Sequence, residues 1–114
     1  TGMVTLVSQD LNEFDLHARA ILVLPIPSIN LRGASASAVV LADRDSSEFS
    51  VNGLANALAV GEAEDHIDAR IFGKPVTRPY RRMGVALARA GSGSTDDARR
   101  LALAAADAIS IDYN

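Results

Sequence analysis

His66-Ile67-Asp68-Ala69-Arg70-Ile71-Phe72 alternates two sets of side chains, Ile67, Ala69 and Ile71 on one side and His66, Asp68, Arg70 and Phe72 on the other. That period of two predicts a half-buried strand. Lys74 to Arg81 carries Pro75 and Pro79, which cannot donate to a strand ladder, so it reads as the loop of a hairpin. Arg82-Met83-Gly84-Val85-Ala86-Leu87-Ala88 is then the return strand, with Met83, Val85 and Leu87 facing the core. Strands that pair through a hairpin, without regular βαβ alternation, predict an α+β fold: a mostly antiparallel sheet with about three helices packed on one face.

C-terminal to the hairpin, Gly91-Ser92-Gly93 breaks the chain, and Ser94 or Thr95 caps an Ala-rich helix from Asp96 to Ala108. Asp96 and Asp97 favour the positive end of that helix dipole. Ile109 to Tyr113 alternates as a closing strand. N-terminal to the hairpin, Val51 to Leu58 reads as a short helix closed by Gly61, preceded by a polar loop from Asp43 to Ser50. Gly33 to Ala42 alternates small and apolar residues, as suits a strand. Leu24-Pro25-Ile26-Pro27-Ser28 is a rigid, extended connector or a simple chain reversal. A helix ends before it, with Phe14, Ala18, Ile21 and Leu22 at helical spacing, Leu11 and Ala20 beside them, and possible caps between Ser8 and Asn12. Val4 and Leu6 alternate with threonines, so Thr1 to Leu6 reads as a strand already under way.

The 114 residues, 48% of them hydrophobic, suffice for a single core without staples. With no Cys, disulfides and thiolate metal sites are excluded. A net charge of -3 and an aromatic content of 4% argue against nucleic-acid binding by phosphate neutralisation or base stacking. No run approaches the roughly 18 apolar residues of a membrane span, and no secretory leader is legible, so a soluble, cytoplasmic domain is expected. Because residue 1 is Thr, the chain is expected to be a piece of something longer.

The small net charge conceals a division. Arg70, Lys74, Arg78, Arg81 and Arg82 give the segment 70–82 a charge of +5 with no acid, so the remaining residues carry -8, since the whole is -3. Lys74 is the only lysine in the chain. A lysine after one strand and two arginines at its return supply one ammonium and two forked guanidinium groups, a set suited to a phosphate or carboxylate. A solvated hairpin tip whose charges keep an edge from pairing accounts for the same pattern. Elsewhere, His17 and His66 read as surface or packing histidines, His66 beside Asp65 and Asp68 as a solvated strand start. Gly91 to Ser94 lacks the lysine of a phosphate loop, and Ser35 and Ser37 lack the context of a nucleophile.

Thr1-Gly2-Met3-Val4-Thr5-Leu6, Ser8 to Phe14, His17 with Arg19-Ala20, Leu24-Pro25, Ala34 to Leu41, and above all Ile71-Phe72-Gly73-Lys74-Pro75 followed by Arg81-Arg82-Met83-Gly84-Val85-Ala86-Leu87-Ala88 carry a family resemblance. Over nearly its whole length the chain resembles the C-terminal part of formate-dependent phosphoribosylglycinamide formyltransferase, of the ATP-grasp superfamily. The resemblance implies an α+β, single-hybrid-motif-like C-terminal domain over residues 31–114, preceded in 1–30 by a trailing strand and helix of the ATP-grasp portion plus linker. It implies purine biosynthesis: ATP and formate give a formyl phosphate that the amino group of glycinamide ribonucleotide attacks. Lys74, Arg81 and Arg82 match family positions that bind this nucleotide. The family's magnesium-binding glutamates, its ATP contacts and an aspartate that helps hold the nucleotide lie upstream of the match to Thr1. The resemblance therefore implies no catalytic or metal-binding residue here, an inactive fragment, ATP and Mg2+ bound elsewhere in a full-length enzyme, and a homodimer of that enzyme with no nucleic-acid or membrane partner. The ATP-dependent carboxylase of aminoimidazole ribonucleotide, with a similar lysine and basic pair, is the rival within the superfamily. A non-catalytic anion-binding or interaction domain is the rival from another class.

Overall fold

The computed structural model describes residues 2–114. The hairpin forms as the sequence predicts: β3 (His66–Ile71) and β4 (Arg82–Arg89) run antiparallel, with Ala69 opposite Ala86 and Arg70 opposite Val85. On the other side of β4 lies β1 (Ser35–Leu41), also antiparallel, with Val39 opposite Val85. The order β1-β4-β3 makes β4 the central strand. β4 is therefore hydrogen-bonded at both edges, and Met83 through Ala88 are all buried.

Met83, Val85 and Leu87 are buried, as the sequence predicts, but the core has two parts, one on each face of the sheet. Val85 and Leu87 face a small second layer, where they pack with buried Val7 and with Met3, Leu6 and Phe72. The larger core lies behind Ala86 and Ala88, against helix α4 (Thr95–Ala108). There Ala98, Leu101, Ala102, Ala105 and Ala106 meet Ala38 and Val40 of β1. Alanine on both surfaces brings the helix axis close to the sheet, which favours dispersion at many contacts over bulky interdigitation. On the opposite face, full burial of Leu87 contributes about 1.5–3 kcal/mol.

Helix α4 starts where Ser94 accepts a hydrogen bond from the Asp97 N–H at 3.3 Å, with Asp96 and Asp97 in its first turn. The second helix, α2 (Glu13–Ile21), is capped by Asn12, whose side chain accepts from the Asp15 N–H at 2.8 Å. Its apolar residues Phe14 and Ile21, and Leu22 at its C-cap, remain exposed.

Two elements differ from the sequence reading. Residues 2–8 form a 3-10 turn (Gly2–Val4) and a short helix α1 (Thr5–Ser8), not a strand; Thr1 lies outside the described residues. Helical geometry puts Met3, Leu6 and Val7 on one face, where all three cover β4, whereas a strand would turn Leu6 and Val7 to opposite sides. The second difference lies in Val51–Leu58. Only Leu54–Leu58 is helical (α3), while Phe49–Asn52 forms β2, paired antiparallel with β5 (Ser110–Tyr113) in a separate two-stranded sheet. Gly53 separates them at φ 88°, a left-handed conformation that a right-handed helix cannot run through, and a Cβ there would strike the Ala108 carbonyl.

Candidate basic cleft

The loop between β3 and β4 is pinned at three levels. At its base the Phe72 N–H donates to the Met83 carbonyl at 2.9 Å. In its middle Thr77, the sole buried polar residue among those described, exchanges backbone bonds with Ser46 and donates its hydroxyl to the Arg44 carbonyl at 2.8 Å. Near its return the Tyr80 N–H donates to the Ala42 carbonyl at 2.8 Å and the Ala42 N–H to the Arg81 carbonyl at 2.9 Å. Gly73 sits at φ 64° with open space around it, so it turns the chain out of β3 directly before Lys74.

This pinned loop encloses an open cleft of about 630 Å³. Phe72, Lys74, Arg78, Tyr80, Arg81 and Arg82 line it, together with Pro79. The structure therefore brings Lys74, Arg81 and Arg82 to one cavity. It adds Arg78, which the charge count contained but could not place. Arg70 is diverted, since its guanidinium pairs with Asp68 at 2.7 Å on β3. Among the described residues, no carboxylate lies within ion-pair distance of Lys74, Arg78, Arg81 or Arg82. Asp43, adjacent in sequence to Ala42, is engaged at 2.8 Å by Arg44, whose hydrogen bond holds that carboxyl below its ordinary pKa. Four cations facing one cleft without a counter-ion repel one another, and an anion relieves that repulsion.

The other candidates do not assemble a site. His17 and His66 are exposed, and Asp65 beside His66 accepts from the Glu62 and Gly91 N–H groups instead. Ser92 donates to Asp97 at 2.7 Å, so the turn before α4 serves its own helix. Among the described residues no group of three or more His, Cys, Asp or Glu side chains is placed to hold a metal ion.

A family profile described as "PurT, C-terminal" matches residues 35–109. The chain belongs to the PurT C-terminal domain family. Formate-dependent phosphoribosylglycinamide formyltransferase from Erythrobacter litoralis is 58% identical over 113 residues, covering 99% of this chain and 27% of that protein. The protein of the same name from Synechocystis sp. is 55% identical over 111 residues, covering 97% and 27%. This PurT C-terminal chain thus spans about a quarter of the length of the curated relatives it matches. Among solved structures, N5-carboxyaminoimidazole ribonucleotide synthetase from Thermotoga maritima superposes with a TM-score of 0.81 at 26% identity, over 99% of this chain and 30% of that one. The α+β, antiparallel architecture expected from the hairpin is shared with that structure, with four α-helices among the described residues where about three were expected. No helix among the described residues is long and apolar enough to cross a membrane.

In the PurT C-terminal domain, sequence reasoning missed the uncharged part of the cleft. Phe72 reads as part of the strand alternation and Tyr80 as part of the hairpin loop. The available signal was Pro79 in a short segment, which marks the second position of a tight turn and so places the residue after it at a corner.

Proposed function

We propose that the chain is the substrate-phosphate-binding part of an ATP- and formate-dependent glycinamide ribonucleotide formyltransferase acting in purine biosynthesis, with Lys74, Arg81 and Arg82 holding the phosphate. The observation that carries this reading is the cleft lined by four cations and no acid. The names support it as well: the relatives act on a phosphoribosyl compound and the structural neighbour makes a ribonucleotide. The portion common to both ligands is a sugar phosphate, whose dianion suits a cluster of ammonium and guanidinium groups.

In this reading the chain orients the nucleotide by its phosphate and leaves the amino group to the rest of the enzyme. ATP and Mg2+ belong to that remainder, and this chain alone turns over no ATP. The same reading treats residues 31–114 as the binding domain and 1–30 as the stretch that joins it to the enzyme body. Exposed apolar residues on α2 and in the connector, among them Phe14, Ile21 and Leu24, support that division.

Titration calorimetry of this chain with glycinamide ribonucleotide and with its dephosphorylated nucleoside tests the assignment. Binding is expected for the nucleotide only. Lys74→Ala and the Arg81→Ala, Arg82→Ala pair should each weaken it by at least ~1.5 kcal/mol, about tenfold, as for loss of a charge-assisted contact. Unchanged affinity in both variants refutes the reading.

A further inference from the structure

Arg78-Pro79-Tyr80-Arg81 forms one β-turn. The Arg81 N–H donates to the Arg78 carbonyl at 3.0 Å, and Tyr80, third in the turn, sits at φ 63°. Proline second and positive φ third are the marks of a type II turn, in which the third residue is ordinarily Gly or Asn. A bulky side chain there is strained by its own Cβ. Core packing does not offset the strain, because Tyr80 is 83% exposed. The strained backbone is nevertheless held, by the Tyr80 N–H bond to Ala42. Strain retained at an exposed aromatic on the rim of a binding cleft points to a role in the ligand complex.

The turn also fixes its flanking arginines. The first and fourth residues of a β-turn lie within about 7 Å of each other at Cα, so Arg78 and Arg81 stand side by side on the cleft. One Arg81 nitrogen is committed to the Val76 carbonyl at 3.1 Å, which orients that guanidinium. Arg78 has no carboxylate within ion-pair distance among the described residues and lines the same cavity.

We propose that Arg78 and Tyr80 are further ligand-contacting, specificity-determining residues of this cleft: Arg78 is a fourth cation on the phosphate, and the Tyr80 ring packs on the sugar that bears it. Phe72, Pro79 and Tyr80 are the uncharged residues lining the cleft, and they offer the apolar surface that a ribose face requires. This inference rests on the phosphate-binding reading above and extends it from the anion to the group carrying it.

Calorimetry with inorganic phosphate, ribose 5-phosphate and glycinamide ribonucleotide separates the two roles, with thermal unfolding measured on each variant. Arg78→Ala should weaken all three ligands about tenfold. Tyr80→Gly should raise the unfolding temperature by relieving strain, leave inorganic phosphate unchanged, and weaken the two sugar phosphates about fivefold. Lys74→Ala is the control. Loss of all three ligands in Lys74→Ala, with both Arg78→Ala and Tyr80→Gly binding as the parent, overturns this inference and leaves the phosphate assignment standing. A parent chain that binds none of the three overturns both. A lower unfolding temperature for Tyr80→Gly overturns the strain argument on which the role of the ring depends.

Discussion

The Thr77 hydroxyl donates to the Arg44 carbonyl oxygen at 2.8 Å, across 33 residues of sequence. Through this bond and the Thr77–Ser46 backbone pair, the middle of the basic loop is anchored to the segment after β1. Thr77→Val keeps the shape and removes the donor, leaving a carbonyl without its partner. The expected loss is about 1–2 kcal/mol in urea unfolding, with faster amide exchange at Thr77, whose own N–H donates to the Ser46 carbonyl at 2.8 Å. Unchanged stability and exchange would show that the backbone pair alone holds the loop.

Gly53 and Gly73 both lie at positive φ, yet their surroundings differ. A Cβ on Gly53 would stand 1.9 Å from the Ala108 carbonyl oxygen, where the end of α4 crosses the start of α3; on Gly73 it would meet nothing within 4 Å. Gly53→Ala combines a left-handed backbone with a clash against main chain that cannot rotate away. It is expected to cost about 3 kcal/mol or more, whereas Gly73→Ala, with backbone strain alone, should cost about 1 kcal/mol. Denaturant midpoints of the two variants check the ordering, and equal losses would contradict it.

The contrast shows what the sequence could disclose. The β3–β4 hairpin, β1 and α4 with its Ser94 cap were legible because each rests on a local pattern: alternation, small-residue spacing, or a cap followed by acids. The stretch up to Leu6 was misread because Val4 and Leu6 fit a strand while Met3, Leu6 and Val7 fit a helix, and only the flank of Val85 and Leu87 that they cover decides between them. Strand β2 escaped because its partner, β5, lies some sixty residues away, and no local signal encodes that pairing. On β4, alanine is too small to register as a core residue, so Met83, Val85 and Leu87 outweighed Ala86 and Ala88, which line the larger core. For the cleft, Lys74, Arg81 and Arg82 stood out by charge, while Tyr80 did not, since Pro79 marks a turn there but not that the next side chain lines a cleft.

Val23 offers a test at a helix end. The Leu24 N–H donates to the Arg19 carbonyl at 2.8 Å and the Val23 N–H to the Ala20 carbonyl at 3.4 Å, a Schellman closure with Val23, at φ 56°, in the place usually held by glycine. A β-branched residue in that conformation is strained, and this one is 88% exposed, so its replacement forfeits no packing. Val23→Gly should stabilise the closure by about 1 kcal/mol, slowing amide exchange at Leu24 about fivefold. Faster exchange would mean that the added chain entropy of glycine outweighs the relief of strain.

Acid stability should carry a contribution from Asp65. Its carboxylate accepts from the Glu62 N–H at 2.9 Å and the Gly91 N–H at 2.8 Å, tying the turn before β3 to the end of β4. These two backbone donors, the Glu62 one foremost, and the charge of Arg100 lower its pKa below the ordinary 3.8. A carboxyl whose folded pKa is depressed binds protons more weakly folded than unfolded, so it stabilises the fold above the ordinary value and loses that contribution as pH falls through the folded value. The stability gap between the parent and Asp65→Ala should therefore be constant near neutrality and narrow below pH 3.8. Asp10, depressed chiefly by the Asn30 backbone N–H, titrates in both proteins and cancels in the difference. Urea unfolding of the pair at a series of pH values measures it, and a gap that widens on acidification would contradict the assignment.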